Sequence, residues 1–203
     1  MAITNYTELQ ASLTGWSHRA DLASVLPDFI TLAEAKFNRE LRTRDMEHAV
    51  TITPALGVCT LPADFLEARR VYINLATQVE LEYLPPEQFH IKFASGGNNW
   101  FGPSRYYTIE GNSMLLSDKT NTTDISLLYY QKIPALSANA TNWLLTSHPD
   151  LYLSASMAEL CDYTKDEAGM QKWMAKANMV GESLIQSDRR SKYSGSALRV
   201  TAA

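Results

Sequence analysis

The sequence predicts an α+β fold: a helical bundle built from both chain ends, a small antiparallel β unit inserted between them, and an extended C-terminal tail. Three observations carry the prediction. The apolar period is about 3.6 residues in the first forty-odd positions, falls to two after Asp45, and returns to about 3.6 from His148. Pro and Gly stand at the edges of the periodic segments. The last dozen residues have no period at all. The expected division is residues 1–46 and 148–190 for the bundle, 47–133 for the β unit with a short helix at 86–94, 134–147 for a connecting loop and 191–203 for the tail.

From Tyr6 onward, Leu22, Val25, Leu26, Phe29, Ile30, Ala33, Phe37 and Leu41 recur at spacings of three and four, while Asp28, Glu34, Arg39 and Glu40 fall elsewhere. Gly15 is expected to break a first short helix. Pro27 suits the first turn of a longer one, where its missing N–H has no partner to lose, and that helix is expected to run to about Arg44.

Beyond Asp45, the segments 49–53, 69–73, 78–83 and 125–130 carry the alternating, β-branched signature of strands. Residues 106–110 and 113–116 flank Gly111-Asn112, a pair suited to a tight hairpin. The run Ser95-Gly96-Gly97-Asn98-Asn99-Trp100-Phe101-Gly102-Pro103 reads as a loop. Pro149 then opens a helix through Leu153, Met157 and Cys161, and Asp166-Glu167 opens another through Met170, Trp173, Ala177, Leu184 and Ile185.

The 203 residues are 45% hydrophobic and 20% charged, with 18 Lys+Arg against 22 Asp+Glu. That balance is ordinary for a globular protein, and the net charge of -4 opposes dedicated nucleic-acid binding, which needs a basic face. Cys59 and Cys161 are far apart and lack any CxxC or Cys/His companion, so buried thiols are expected rather than zinc or a disulfide. The first residues show no basic start followed by an apolar run, and no apolar stretch is long enough to span a bilayer, so synthesis in the cytoplasm and no membrane partner are expected.

Sequence motifs for catalysis are missing: G-x-S-x-G, Walker A, G-x-G-x-x-G and H-E-x-x-H do not occur. His18, His48, His90 and His148 lie in separate predicted elements. Glu80 and Glu82 fall on one face of a predicted strand, roughly 7 Å apart, a spacing that paired catalytic carboxylates could use but that a solvated strand face also explains. Trp100 and Phe101 at a loop tip need a cover: the β unit's own core, a neighbouring subunit or the tail, or a ligand such as a sugar together with Tyr106. Arg69-Arg70 and Arg189-Arg190 with Lys192 are basic pairs in an acidic chain, either solvated or in contact with an acidic partner.

The ordered set Leu32-Ala33-Glu34-Ala35-Lys36-Phe37-Asn38-Arg39-Glu40-Leu41-Arg42-Thr43-Arg44, Thr60-Leu61-Pro62-Ala63-Asp64-Phe65, Tyr107-Thr108-Ile109-Glu110-Gly111-Asn112, His148-Pro149-Asp150-Leu151-Tyr152-Leu153 and Gly195-Ser196-Ala197-Leu198-Arg199-Val200 spans nearly the whole chain. Taken with the helix, strand, helix layout, it resembles the head-to-tail adaptor proteins of tailed bacteriophages. The resemblance implies a non-enzymatic virion protein of the neck, assembled in the host cytoplasm, with no cofactor, metal or catalytic residue. It implies a ring, dodecameric on the portal protein, that carries tail or nozzle proteins and surrounds the channel through which DNA passes without sequence-specific contact. It also implies a portal-binding tail, here Arg189, Arg190, Lys192, Tyr193, Leu198, Arg199 and Val200. A carbohydrate- or protein-binding accessory virion protein and a carboxylate-dependent hydrolase are the alternative readings.

Overall fold

Asn5 starts the first helix, α1 (Tyr6–Ser17), by accepting the Glu8 N–H on its side chain at 2.9 Å, which satisfies one of the free donors of the first turn. The Glu8 carboxylate accepts from the Thr4 N–H at 2.7 Å and from the Thr4 hydroxyl at 2.6 Å. The computed structural model describes residues 2–75, 78–93 and 104–193. The helix does not break at Gly15. Buried Leu9 and Leu13 hold it in place, and it ends only at His18, whose φ of 53° is left-handed.

The second helix, α2 (Leu26–Glu40), takes Pro27 in its first turn and buries Leu26, Phe29, Ile30, Ala33 and Phe37, the stripe its period demands, and with them Glu34, which the period places off that stripe. It stops before the expected Arg44 because Leu41 turns extended. Arg42 then occupies the helix end, its Nη1 donating to the Asn38 carbonyl at 3.0 Å and to the Leu41 carbonyl at 2.6 Å.

The chain divides into two compact units, one of residues 1–45 with 133–203 and one of residues 46–132. The second unit holds β1 (Glu47–Ile52), β2 (Val58–Thr60), β3 (Phe65–Ile73), β4 (Val79–Glu80), β5 (Glu82–Tyr83), α3 (Pro86–Phe93), β6 (Tyr106–Glu110), β7 (Ser113–Leu116) and β8 (Ile125–Gln131). These strands form two four-stranded sheets, β1-β8-β3-β4 and β2-β7-β6-β5. Among the described residues every pairing is antiparallel except β5 with β6, so the expected antiparallel unit is corrected to a mixed, mainly antiparallel one. Cys59, Val71, Ile73, Met114, Ile125 and Leu127 are among the buried residues of its core.

The single strand expected at 78–83 is in fact two, one in each sheet. Leu81 is the crossover: its N–H donates to the Val71 carbonyl at 2.8 Å, and the next N–H, on Glu82, donates to Arg105 at 2.8 Å. Burial of Leu81 is what pulls the chain between the sheets. A short strand and its turn went unpredicted, β2 with Leu56-Gly57, because three residues are too few to show a period.

The remaining helices are α4 (Trp143–Ser147), α5 (Pro149–Tyr163) and α6 (Glu167–Tyr193). Helix α4 replaces part of the loop expected at 134–147. Asn142 caps it, accepting the Leu145 N–H at 2.8 Å. In the first unit α5 packs against α1, α2 and α6, and it is buried along most of its length, whereas among its described side chains α6 buries only Ala177, Leu184 and Asp188. Helix α6 also runs past 190 to Tyr193, which removes 191–193 from the expected extended tail. Arg189, Arg190 and Lys192 are good helix formers, and Asp188 ties this end down through Arg44. Among the described residues no helix is long and apolar enough to cross a membrane.

Candidate assembly surfaces

The C-terminal end of α6 is fixed by one buried carboxylate. Asp188 Oδ1 accepts the Arg44 N–H at 3.0 Å and Arg44 Nε at 3.1 Å, tying the last turns of α6 to the segment that follows α2. The following residues, Arg189 and Arg190, are exposed on an element that is itself anchored. Lys192 and Tyr193 continue the helix. Leu198, Arg199 and Val200 lie outside the described residues, as do Trp100 and Phe101.

A groove of about 170 Å³ opens between α2, α5 and α6. Phe37, Leu41, Leu151 and Ala155 line it as buried apolar residues, and from α6 the small residues Ala177 and Gly181 line it as well. Lys36, Glu40, Asn178 and Glu182 stand around it, with Lys36 Nζ donating to Asn178 Oδ1 at 3.4 Å. Elsewhere on this unit Trp16 and Trp173 meet edge to face at 5.5 Å, with Lys176 Nζ 5.1 Å from the Trp173 ring centroid. Trp16 remains 55% exposed beside Trp173, a large apolar area for a surface side chain.

On the β unit, the turn Leu56-Gly57 joins Ala55 to Val58 with positive φ at both central residues, 50° and 77°. Leucine is a poor residue for that conformation, and here its side chain is 72% exposed. A second groove of about 190 Å³ lies beside it, lined by Val58, Phe89, Phe93 and Leu115 among others. Sequence reasoning missed Leu56 and Trp16. A Leu-Gly pair carries no usual turn signature, and a lone Trp in a short helix reads as core.

The residues considered for chemistry are dispersed. Glu80 and Glu82 sit on strands of different sheets, and Glu80 lies 3.9 Å from Arg70 in an exposed pair. Lys92 Nζ stands over the Tyr106 ring, 3.7 Å from its centroid. Arg69 pairs with Glu47, and Arg70 donates to the Tyr72 hydroxyl at 3.1 Å, so this basic pair is engaged within its own sheet. Burial pushes the Cys59 thiol up to about 11, and burial with Asp166 nearby raises that of Cys161, so both thiols are inert near neutral pH.

The model of one protein family, described as SU10 adaptor protein, matches residues 4–201. The chain belongs to that family. It is thereby a phage head-to-tail adaptor, a structural virion protein of the neck that takes part in tail assembly and contacts portal and tail components. Adaptors of this family are structural proteins and not generally enzymes. No curated protein sequence matches the adaptor. Membership accounts for a chain whose notable features are surfaces: an anchored basic helix end, grooves, and exposed large apolar side chains.

Proposed function

We propose that this adaptor forms a closed ring beneath the portal vertex, dodecameric on the portal, and that the ring surrounds the DNA exit channel and presents the platform for tail or nozzle proteins. The observation that carries the reading is the match to the adaptor family over residues 4–201. The helical unit of residues 1–45 and 133–193 builds the ring wall, and the β unit faces outward or toward the tail. Trp100 and Phe101 contact a neighbouring subunit or the tail. Arg189, Arg190, Lys192, Tyr193, Leu198, Arg199 and Val200 reach the portal, with basic residues supplying the charge and Leu198 and Val200 the apolar contact.

A ring made of heterologous contacts closes on a template that already has the symmetry, so the free subunit needs no strong self-association. The net charge of -4 suits a channel that DNA slides through without sticking. The test is native mass of the adaptor alone and mixed with its cognate portal. Free adaptor of subunit mass and a complex with one adaptor per portal subunit are expected; the absence of any complex overturns the reading.

A further inference from the structure

Helix α6 presents two unlike flanks. At about 100° per residue, Trp173 and Lys176 stand on one, and Asn178, Gly181 and Ile185 stand on another, roughly 140° further round. The first flank carries a knob. Trp16, near the end of α1, lies half-exposed against Trp173, and Lys176 Nζ stands 5.9 Å from its ring centroid and 5.1 Å from that of Trp173. Lys172 follows one turn away, and neither lysine is in an ion pair among the described residues.

The second flank carries a hole, the groove between α2, α5 and α6, with Leu151 and Ala155 buried along it. Gly181 widens it, since a Cβ built there meets nothing within 4 Å. Apolar voids of roughly 150 Å³ accept benzene, so a groove of about 170 Å³ takes the six-membered ring of an indole. Its rim holds Lys36, Glu40 and Glu182. Lys36 and Glu40, one turn apart on α2, offset each other in charge, which leaves the exposed Glu182 carboxylate on the α6 side as the net charge of the rim. The knob is thus aromatic and positive, and the hole is apolar and negative.

We propose that Trp16 of one adaptor subunit enters the α2–α5–α6 groove of the next copy, with Lys176 against Glu182. Trp16 cannot reach the groove of its own chain, because buried Leu9 and Leu13 fix α1 along the other flank. A patch that fits a pocket elsewhere on the same molecule makes a heterologous contact, the kind that repeats from copy to copy and closes into a ring when the rotation allows. That this contact closes a ring on the portal rests on the function proposed above. The contact itself is measured on the free chain.

Two full-length variants take the contact apart: Trp16→Asp removes the knob and keeps the hole, and Gly181→Gln fills the hole and keeps the knob. Nitrogen-15-labelled Trp16→Asp is titrated with unlabelled Gly181→Gln to about 1 mM, the range of a weak contact. The amides of 177–185 are expected to shift saturably, and the mixture to sediment as a dimer and nothing larger, while each variant alone stays a monomer. Adding Lys176→Glu to the unlabelled chain is expected to weaken the contact at least tenfold, and Glu182→Lys in the labelled chain to restore it. Lys176→Glu, at an exposed site, carries the knob side if Trp16→Asp does not fold. No shift up to about 1 mM overturns the proposal, as does an equal shift from an unlabelled chain bearing both Trp16→Asp and Gly181→Gln. Groove amides that answer only to ending the labelled chain at Tyr193 overturn it as well, since the groove then serves the chain's own C-terminal residues. A portal complex that forms without these shifts sinks the contact alone, and shifts without a portal complex sink the ring reading alone.

Discussion

The Tyr152 hydroxyl donates to the Glu34 carboxylate across 3.3 Å, and both side chains are buried. Around this pair α2 and α5 take hold of the chain as it returns from the β unit. Glu34 Oε1 also accepts the Leu136 N–H at 2.8 Å, and one turn on Asn38 Oδ1 accepts the Ile133 N–H at 2.8 Å. Asn142 Nδ2 donates to the Tyr152 hydroxyl at 2.7 Å and to the Pro134 carbonyl at 2.8 Å. Phe37 packs edge to face on the Tyr152 ring at 5.1 Å. Residues 133–142 are thus held by partners that a helical period does not reveal.

Burial raises the pKa of Glu34 above its ordinary 4.5, against the lowering by the Leu136 N–H and the Tyr152 hydroxyl. A carboxyl with a raised folded pKa binds more protons folded than unfolded. Its contribution is therefore most favourable below about 4.5 and declines as pH rises through the folded value. Glu34→Gln keeps an oxygen for both donors and removes the charge. The expected outcome is a variant at least as stable as the parent at pH 8 and with less loss of stability between pH 5 and 8. Urea unfolding at the two pH values checks it. Glu34→Ala, by contrast, strands the Leu136 N–H and is expected to cost roughly 1–3 kcal/mol.

Asn142 combines a helix cap with two donated bonds, so Asn142→Ala is expected to lose about 2 kcal/mol or more in chemical denaturation. Asn142→Asp retains the acceptor for Leu145 but gives up both donors. It also places a carboxylate near Glu34, and recovery of the parent's stability by Asn142→Asp would show that only the cap matters.

Three glycines separate helix cost from backbone demand. Gly15 and Gly181 are helical with nothing within 4 Å of an added Cβ, so alanine at either is expected to stabilise by about 0.5–1 kcal/mol. Gly57 has φ of 77°, and its Cβ would stand 2.6 Å from the Asp118 carbonyl oxygen. Gly57→Ala is expected to destabilise by more than the other two gain, with the thermal midpoint as the measurement. Beside it, Leu56→Asn relieves a left-handed leucine and is expected to raise the midpoint, unlike most changes of a conserved-size side chain on a surface.

Periodicity made the long elements legible: α2, α5, α6, β3 and β8 follow from the spacing of their apolar residues, and the hairpin at Gly111-Asn112 from its turn pair. Shorter ones escaped. Residues 78–83 alternate as one strand does, yet burial of Leu81 divides them between sheets, a decision made by distant Val71 and Arg105. Gly15 reads as a breaker locally, but the cost of a helical glycine is about 1 kcal/mol and the packing of Leu9 and Leu13 exceeds it. Of the candidate assembly surfaces, the arginines at 189 and 190 are visible as charge. The groove is not, because Ala177 and Gly181 are unremarkable until α2 and α5 are placed opposite them.

The position of Asp188 decides how the role of the C-terminal segment can be tested. A chain ended at Ser187 loses the segment and also the carboxylate that holds Arg44, so weak portal binding by it has two explanations. A chain ended at Tyr193 keeps the anchor and the arginines at 189 and 190 and removes Leu198, Arg199 and Val200. Its unfolding free energy is expected to lie within about 1 kcal/mol of the parent, since no described core residue is lost. The shorter chain, or Asp188→Ala, is expected to lose clearly more, because the Arg44 N–H is left without its acceptor. If residues 194–203 are the portal anchor, the Tyr193 truncation binds portal at least tenfold more weakly by titration at constant salt, and its affinity varies less with salt because Arg199 is gone. Unchanged affinity and salt dependence in this stable truncation mean that the anchor lies elsewhere on the adaptor.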